Sequence, residues 1–218
     1  GKLYLMQPVA DWLKPFDHPM LRPINLWHLL THTSGLDPDP GFDLEPYEKP
    51  RYGRWIEHRR RQEPDRAWTA DDIVQLLVSG PVRTAPGREW LYSTAGFVIL
   101  AEIVSRASGM PYERFVEERI FRPLGMNRSF FRVPGPLHDE TCVVNCWEEA
   151  WLKEGKKSDV ALPPGGNGMF STLEDLWRFG QAMLDDGRFG GVHILGRRMI
   201  REMVSNQLHG VTNTAWGR

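Results

Sequence analysis

Covalent chemistry at a serine is advertised in some families by local sequence, and no serine here carries a local sign of activation. A serine nucleophile needs a base within hydrogen-bond reach. The serines stand at 34, 79, 93, 105, 108, 129, 158, 171 and 205; none has a lysine three residues later, and no G-x-S-x-G elbow occurs. Ser34 follows His32 closely, but neighbours in sequence seldom assemble a triad. His28 and His32 lie four apart, the spacing of a zinc-binding helix, yet Leu29 stands where a zinc protease places its glutamate. With no third ligand in view, structural hydrogen bonding is the expected role of both rings. Cys142 and Cys146 lack two further ligands nearby and read as ordinary thiols. Gly165-Gly166-Asn167-Gly168 precedes a helix start, where free N–H groups could face an anion, but no Lys-Ser/Thr follows. A tight turn that brings backbone close to a ligand or another strand is the better reading. No metal and no cofactor is implied.

The elements that would position these residues are mostly helical. Asn25 caps a short helix with Leu26, Trp27, Leu29 and Leu30 on one side, ended by Gly35. Thr69 with Asp72 forms a capping box for a helix through Ile73, Val74, Leu76 and Leu77 to Gly80. After a turn at Pro86-Gly87 comes Tyr92-Ser93-Thr94, then a stripe of Phe97, Leu100, Ile103, Val104 and Ala107 that predicts a helix over 95–107. Pro111 starts the next helix, with Tyr112, Phe115, Val116 and Ile120 inward and Pro123 beyond its end. Short strands are expected around 142–144. Ser171 with Glu174 predicts a capping box for a helix bearing Leu173, Leu176, Trp177, Phe179, Met183 and Leu184, and a last helix is expected from Arg197 to Leu208. Residues 37–64 lack a period and read as a variable, loop-rich insertion.

Charge and composition narrow the partners. Twenty-seven basic against 28 acidic residues leave a net charge of −1 with no dominant basic block, which argues against nucleic acid or an anionic membrane as partner. A 41% hydrophobic content with 9 Trp and 10 Phe excludes a disordered chain. The longest apolar runs, such as 97–101, are about a quarter of the roughly 20 residues a membrane span needs. Gly1 opens without a leader pattern and Trp216-Gly217-Arg218 closes without a polar tail, so either end is read as a possible cut and no compartment is assigned.

Four strings occur in order: HLLTHTSGL (28–36), YSTAGF (92–97), SGMPYERFVEERIFRPLGM (108–126) and GGNGMFSTLEDLWRFGQAML (165–184). Together they resemble the middle of the serine β-lactamase and penicillin-binding-protein-like family, nearest to class C β-lactamases, D,D-peptidases and related esterases. The opening GKLYLMQPVADWLKPF is similar to the family's segment just after its first catalytic helix, so the resemblance spans one partial domain over 1–218. It implies a mainly α fold with short β segments: the helical lobe of the α+β β-lactamase/transpeptidase-like fold, with the sheet-forming ends largely missing. The apolar surface that faces the sheet would then be exposed unless a second chain or a dimer covers it.

The family acts by acyl transfer. Its serine, in an S-x-x-K motif, attacks a β-lactam, ester or amide carbonyl, and the motif lysine and a tyrosine from Y-x-N handle the protons. The tyrosine maps to Tyr92, followed by Ser93; Thr94 stands where asparagine is usual, keeping a hydroxyl but losing an amide that both donates and accepts. Gly166 and Asn167 map to the glycine segment and, with Ser93 and Thr94, form the expected substrate-facing set. A phenol ordinarily loses its proton near pH 10, so a tyrosine base needs a neighbouring cation. The family supplies it from the S-x-x-K and K-T-G or H-x-G motifs, which this sequence lacks. The expectation is therefore part of a serine hydrolase acting on a small-molecule ester, amide or β-lactam, inactive as this isolated chain. The alternative is a non-catalytic binding or regulatory module of the same fold, which the loss of asparagine at Thr94 favours.

Overall fold

In the computed structural model, which describes residues 2–36, 62, 69–142, 165, 169–208 and 210–213, helices start where short polar side chains can replace missing backbone acceptors. Asn25 Oδ1 accepts from the His28 amide at 2.9 Å and opens α1 (Leu26–Leu30). Thr69 Oγ1 accepts from the Asp72 amide at 3.3 Å while Asp72 Oδ2 accepts from the Thr69 amide at 2.8 Å, the reciprocal box expected at the start of α2 (Ala70–Val78). The helix that follows Tyr92 and Ser93 is α3 (Thr94–Ser108).

α1 has an unusual box. Its second bond runs from the Asn25 amide to His28 Nδ1, 3.2 Å away, so the ring nitrogen that accepts must be unprotonated. Burial holds the His28 pKa below its ordinary 6.5. A folded pKa below the unfolded one means that the unfolded chain binds the proton more tightly. The stability this ring contributes is complete above about pH 6.5 and is lost as pH falls from there toward the folded pKa. Urea midpoints should accordingly drop from pH 7.5 to pH 5.5. In His28→Gln, which keeps an acceptor at this position without titrating, the drop should be smaller; an equal drop in both proteins would count against the assignment.

The described residues divide into two compact units, one drawn from 1–107, 157–167 and 208–218, the other from 108–156 and 168–207. In the first, two 3-10 turns, Val9–Asp11 and Lys14–Phe16, bring Val9, Leu13 and Phe16 against Leu29 of α1, Ile73, Val74 and Leu77 of α2, and Val98, Ile99 and Ile103 of α3. All ten are at most 2% exposed. This is the apolar face that the periodicity of α2 and α3 predicts. The strand β1 (Glu89–Trp90) pairs in parallel with β4 (Thr212–Asn213), Glu89 opposite Thr212.

In the second unit, α4 (Tyr112–Val116) continues through a π-helical turn (Glu117–Phe121) into α5 (Arg122–Leu124). The helical path thus runs past Pro123 instead of stopping before it. The π turn has already interrupted the regular ladder where proline's absent N–H would be missed. Gly125, left-handed at φ 68°, ends it. Val116, Phe121, Leu124, Met126 and Ala182 form the core here. The helix α6 (Leu173–Leu184) is capped by Thr172, whose Oγ1 accepts from the Asp175 amide at 3.2 Å, and not by Ser171 as the sequence predicts. The register shifts by one because Asp175 is drawn inward: 5% exposed, its Oδ2 accepts from Ser129 Oγ at 2.9 Å and from the Arg128 amide at 2.8 Å. Ser171 Oγ instead meets Ser129 Oγ at 2.8 Å, beside the Phe130–Phe170 bridge.

With Asp175 and Ala182 facing inward, part of the apolar stripe of α6 faces out, Leu173 at 86% and Leu184 at 79% exposed, while Phe179 of the same stripe packs against the core. A hairpin of β2 (Arg188–Phe189) and β3 (Val192–His193) leads to α7 (Arg197–Val204), shorter than the predicted run to Leu208. Ser205 Oγ and Gln207 Nε2 both donate to the Glu202 carbonyl and close the helix early. Cys142 is an exposed free thiol outside any strand; the strand expected at 143–144, Cys146, and all of 37–64 but Gln62 lie outside the described residues. The fold is mainly helical with two-residue strands, as expected.

Candidate active site

Two of the sequence motifs prove to be stitched together by backbone. The segment after α1 runs antiparallel to the stretch that leads into α3, beginning with a Leu36–Val82 bridge. The Arg83 amide donates to Gly35 O at 2.8 Å, the Gly87 amide to Thr33 O at 2.7 Å, and the Leu91 amide to His32 O at 2.8 Å. The last rung uses a side chain: the Ser93 amide donates to His32 Nδ1 at 3.1 Å. The chain from 32 to 36 therefore acts as a splint for the chain from 82 to 93.

Tyr92 lies on the final rung. Its ring is partly exposed and packs against the His32 imidazole at 4.7 Å between centroids, with Trp90 at 6.2 Å. Trp90 and Phe97 also contact the His32 ring, at 5.6 and 5.1 Å. Ser93 is 5% exposed, and its hydroxyl accepts from the Gly96 amide at 3.1 Å, so it caps α3. Thr94, partly exposed, is the first residue of that helix. Tyr92 and Thr94 are thus held on either side of a buried cap.

The glycine segment reaches this helix. Gly165 has φ 103°, and a Cβ built there would lie 2.5 Å from Ala101 Cβ and 2.6 Å from the Phe97 carbonyl oxygen. Only a residue without a side chain fits so close to the first turns of α3. Its neighbours Gly166 and Asn167, expected to face substrate, lie outside the described residues.

His28 and His32 do not converge on a metal, because each Nδ1 already accepts a backbone N–H. Among the described residues no cluster of His, Cys, Asp and Glu could hold one. Nor is any described helix long and apolar enough to cross a membrane. The residue that sequence reasoning missed is His32 as a partner of the Tyr92 motif, 61 positions from Ser93. Its only signal was its membership of HLLTHTSGL, one of the four strings.

Comparison with known proteins places the chain in a family. The β-lactamase family profile matches residues 1–217, and the chain belongs to that family. It is 34% identical over 204 residues to penicillin-binding protein 4* of Bacillus subtilis, covering 85% of this chain and 40% of that protein. With esterase EstB of Burkholderia gladioli it shares 30% over 213 residues, 82% of this chain and 50% of the esterase. The penicillin-binding protein of Bacillus halodurans has the same fold: TM-score 0.65 at 24% identity, covering 95% of this chain and 57% of that one. The chain spans about half the length of the curated relatives it matches.

Proposed function

We propose that these residues form the helical lobe of a serine hydrolase that opens an ester, amide or β-lactam through an acyl-enzyme, and that Tyr92 is its proton carrier. The observation that supports this most is the anchoring of Tyr92 itself. The residues before and after it are both hydrogen-bonded to His32, which leaves the phenol on a rigid corner at the start of α3. Rigid placement of an acid–base group is what general catalysis requires.

In this reading the nucleophilic serine and its lysine come from an S-x-x-K segment outside the 218 residues. Attack of the serine oxygen on the substrate carbonyl passes the single serine proton to the motif lysine, from which Tyr92 relays it to the leaving group, and the negative charge moves to the carbonyl oxygen, where backbone N–H groups stabilise it. Collapse expels the leaving group, protonated through Tyr92. Water then repeats the sequence on the acyl-enzyme. Thr94, Gly166 and Asn167 contact the substrate, and Ser93 contributes by capping α3. The chain forms a single partial domain, and another chain or a dimer covers the apolar surface it leaves exposed.

An active-site probe tests the reading. The 218-residue chain should show no serine labelled by a fluorophosphonate or a fluorescent penicillin, whereas a longer chain carrying S-x-x-K before Gly1 should be labelled at that serine. A labelled serine within the 218 residues would overturn the assignment. An unlabelled longer chain that still binds such ligands would favour the non-catalytic module, which Thr94 in place of asparagine supports.

A further inference from the structure

We infer that His32 is a positioning residue for Tyr92, setting where the phenol sits without itself touching substrate; this rests on the reading of Tyr92 as proton carrier. Three independent features of one residue converge on that tyrosine. The His32 carbonyl accepts from the Leu91 amide at 2.8 Å and its Nδ1 accepts from the Ser93 amide at 3.1 Å, so the peptide units on both sides of Tyr92 end on the same distant residue. The imidazole plane lies against the tyrosine ring at 4.7 Å with 34° between planes, close enough to restrict its rotation about χ1. Phe97, one turn into α3, and Trp90 of β1 hold the imidazole in turn, at 5.1 and 5.6 Å.

His32 is also built into an unfavourable backbone shape. Its φ of 56° is left-handed, shared among the described non-glycine residues only by Asp186. A non-glycine residue is disfavoured there and persists only where the surroundings over-determine it. That conformation lets the carbonyl and the ring of one residue both turn toward the 91–93 segment. The ring must present a bare Nδ1 to the Ser93 amide, so its proton sits on Nε2. A phenylalanine would keep the ring and lose the acceptor. An asparagine would keep an acceptor near the same place, tolerate the left-handed backbone and lose the ring.

The test is a set of variants in the full-length protein, assayed on a chromogenic ester. His32→Phe should lower kcat by about 10- to 100-fold with KM changed less than about threefold, because ångström-scale misplacement of a catalytic group falls on the chemical step. His32→Asn should recover part of that loss. Combined with Tyr92→Phe, His32→Phe should add almost nothing, since a residue that acts through the phenol has nothing left to position. An additive second loss would overturn the inference, and so would a kcat for His32→Phe within twofold of the parent.

Amide exchange supplies a readout that needs no activity. Exchange in a peptide spanning 91–94 should rise about tenfold in His32→Phe and stay nearer the parent value in His32→Asn; unchanged exchange in His32→Phe overturns the inference. Should His32→Phe fail to fold, the same comparison between His32→Asn and His32→Gln applies, with faster exchange expected in the glutamine variant and equal rates counting against the inference. Failure of the underlying reading looks different: Tyr92→Phe alone would then leave kcat intact while the exchange results stand.

Discussion

Tyr92→Phe in the full-length protein should lower kcat/KM for a chromogenic ester by about 10²- to 10⁴-fold, the usual contribution of one positioned acid–base group. The substitution removes a single oxygen. The ring contacts with His32 and Trp90, at 4.7 and 6.2 Å, do not depend on the hydroxyl, and the backbone bonds on either side of Tyr92 come from Leu91 and Ser93. The fold should therefore survive, with a cooperative thermal melt like the parent's. Because the proton transfer belongs to the transition state more than to substrate binding, the loss should fall on kcat and leave KM within a few-fold. Steady-state kinetics and a thermal melt on the same preparation check both halves. Unchanged kcat/KM would remove Tyr92 from the chemistry; a collapsed melt would make it structural.

Reading the sequence recovers the helices whose starts are local events. Asn25 and Thr69 act as caps because each needs only a residue three positions on, and α3 appears where the stripe from Phe97 to Ala107 places it. What escapes is decided by distant residues. The cap of α6 moves from Ser171 to Thr172 because Asp175 is buried against Ser129 and the Arg128 amide, more than 40 positions away. The apolar stripe on the same helix reads like a core face, yet Leu173 and Leu184 face out once Asp175 and Ala182 face in. At the candidate site the division is similar. Tyr92 stood out through its motif, whereas the part played by His32 depends on a ladder joining 32–36 to 82–93, and no local pattern announces which carbonyl a distant amide will find.

That ladder carries a large expected effect on stability, at Gly35. Its φ of 73° is left-handed, and a Cβ built there would overlap the Thr84 carbonyl oxygen and stand 3.0 Å from the carbonyl carbon. Backbone cannot swing aside as a side-chain tip can, so the 83–85 segment would have to move. That same backbone donates from Arg83 to Gly35 O and, two residues beyond it, from Gly87 to Thr33 O. Losing those two bonds at about 1 kcal/mol each, on top of about 1–2 kcal/mol for alanine in a left-handed conformation, gives a cost of about 3 kcal/mol or more for Gly35→Ala. Gly109 separates the two contributions. At φ 78° it has nothing within 4 Å of a built Cβ, so Gly109→Ala should show the conformational cost alone, about 1–2 kcal/mol. Urea midpoints of the two variants check the difference, and equal losses would show that the Thr84 overlap relaxes freely. The site should register the same displacement. The bonds to Gly35 and Thr33 and those to His32 join the same two chain segments, so Gly35→Ala should also raise amide exchange across 91–93, whereas Gly109→Ala, at the far end of α3, should leave it near the parent value.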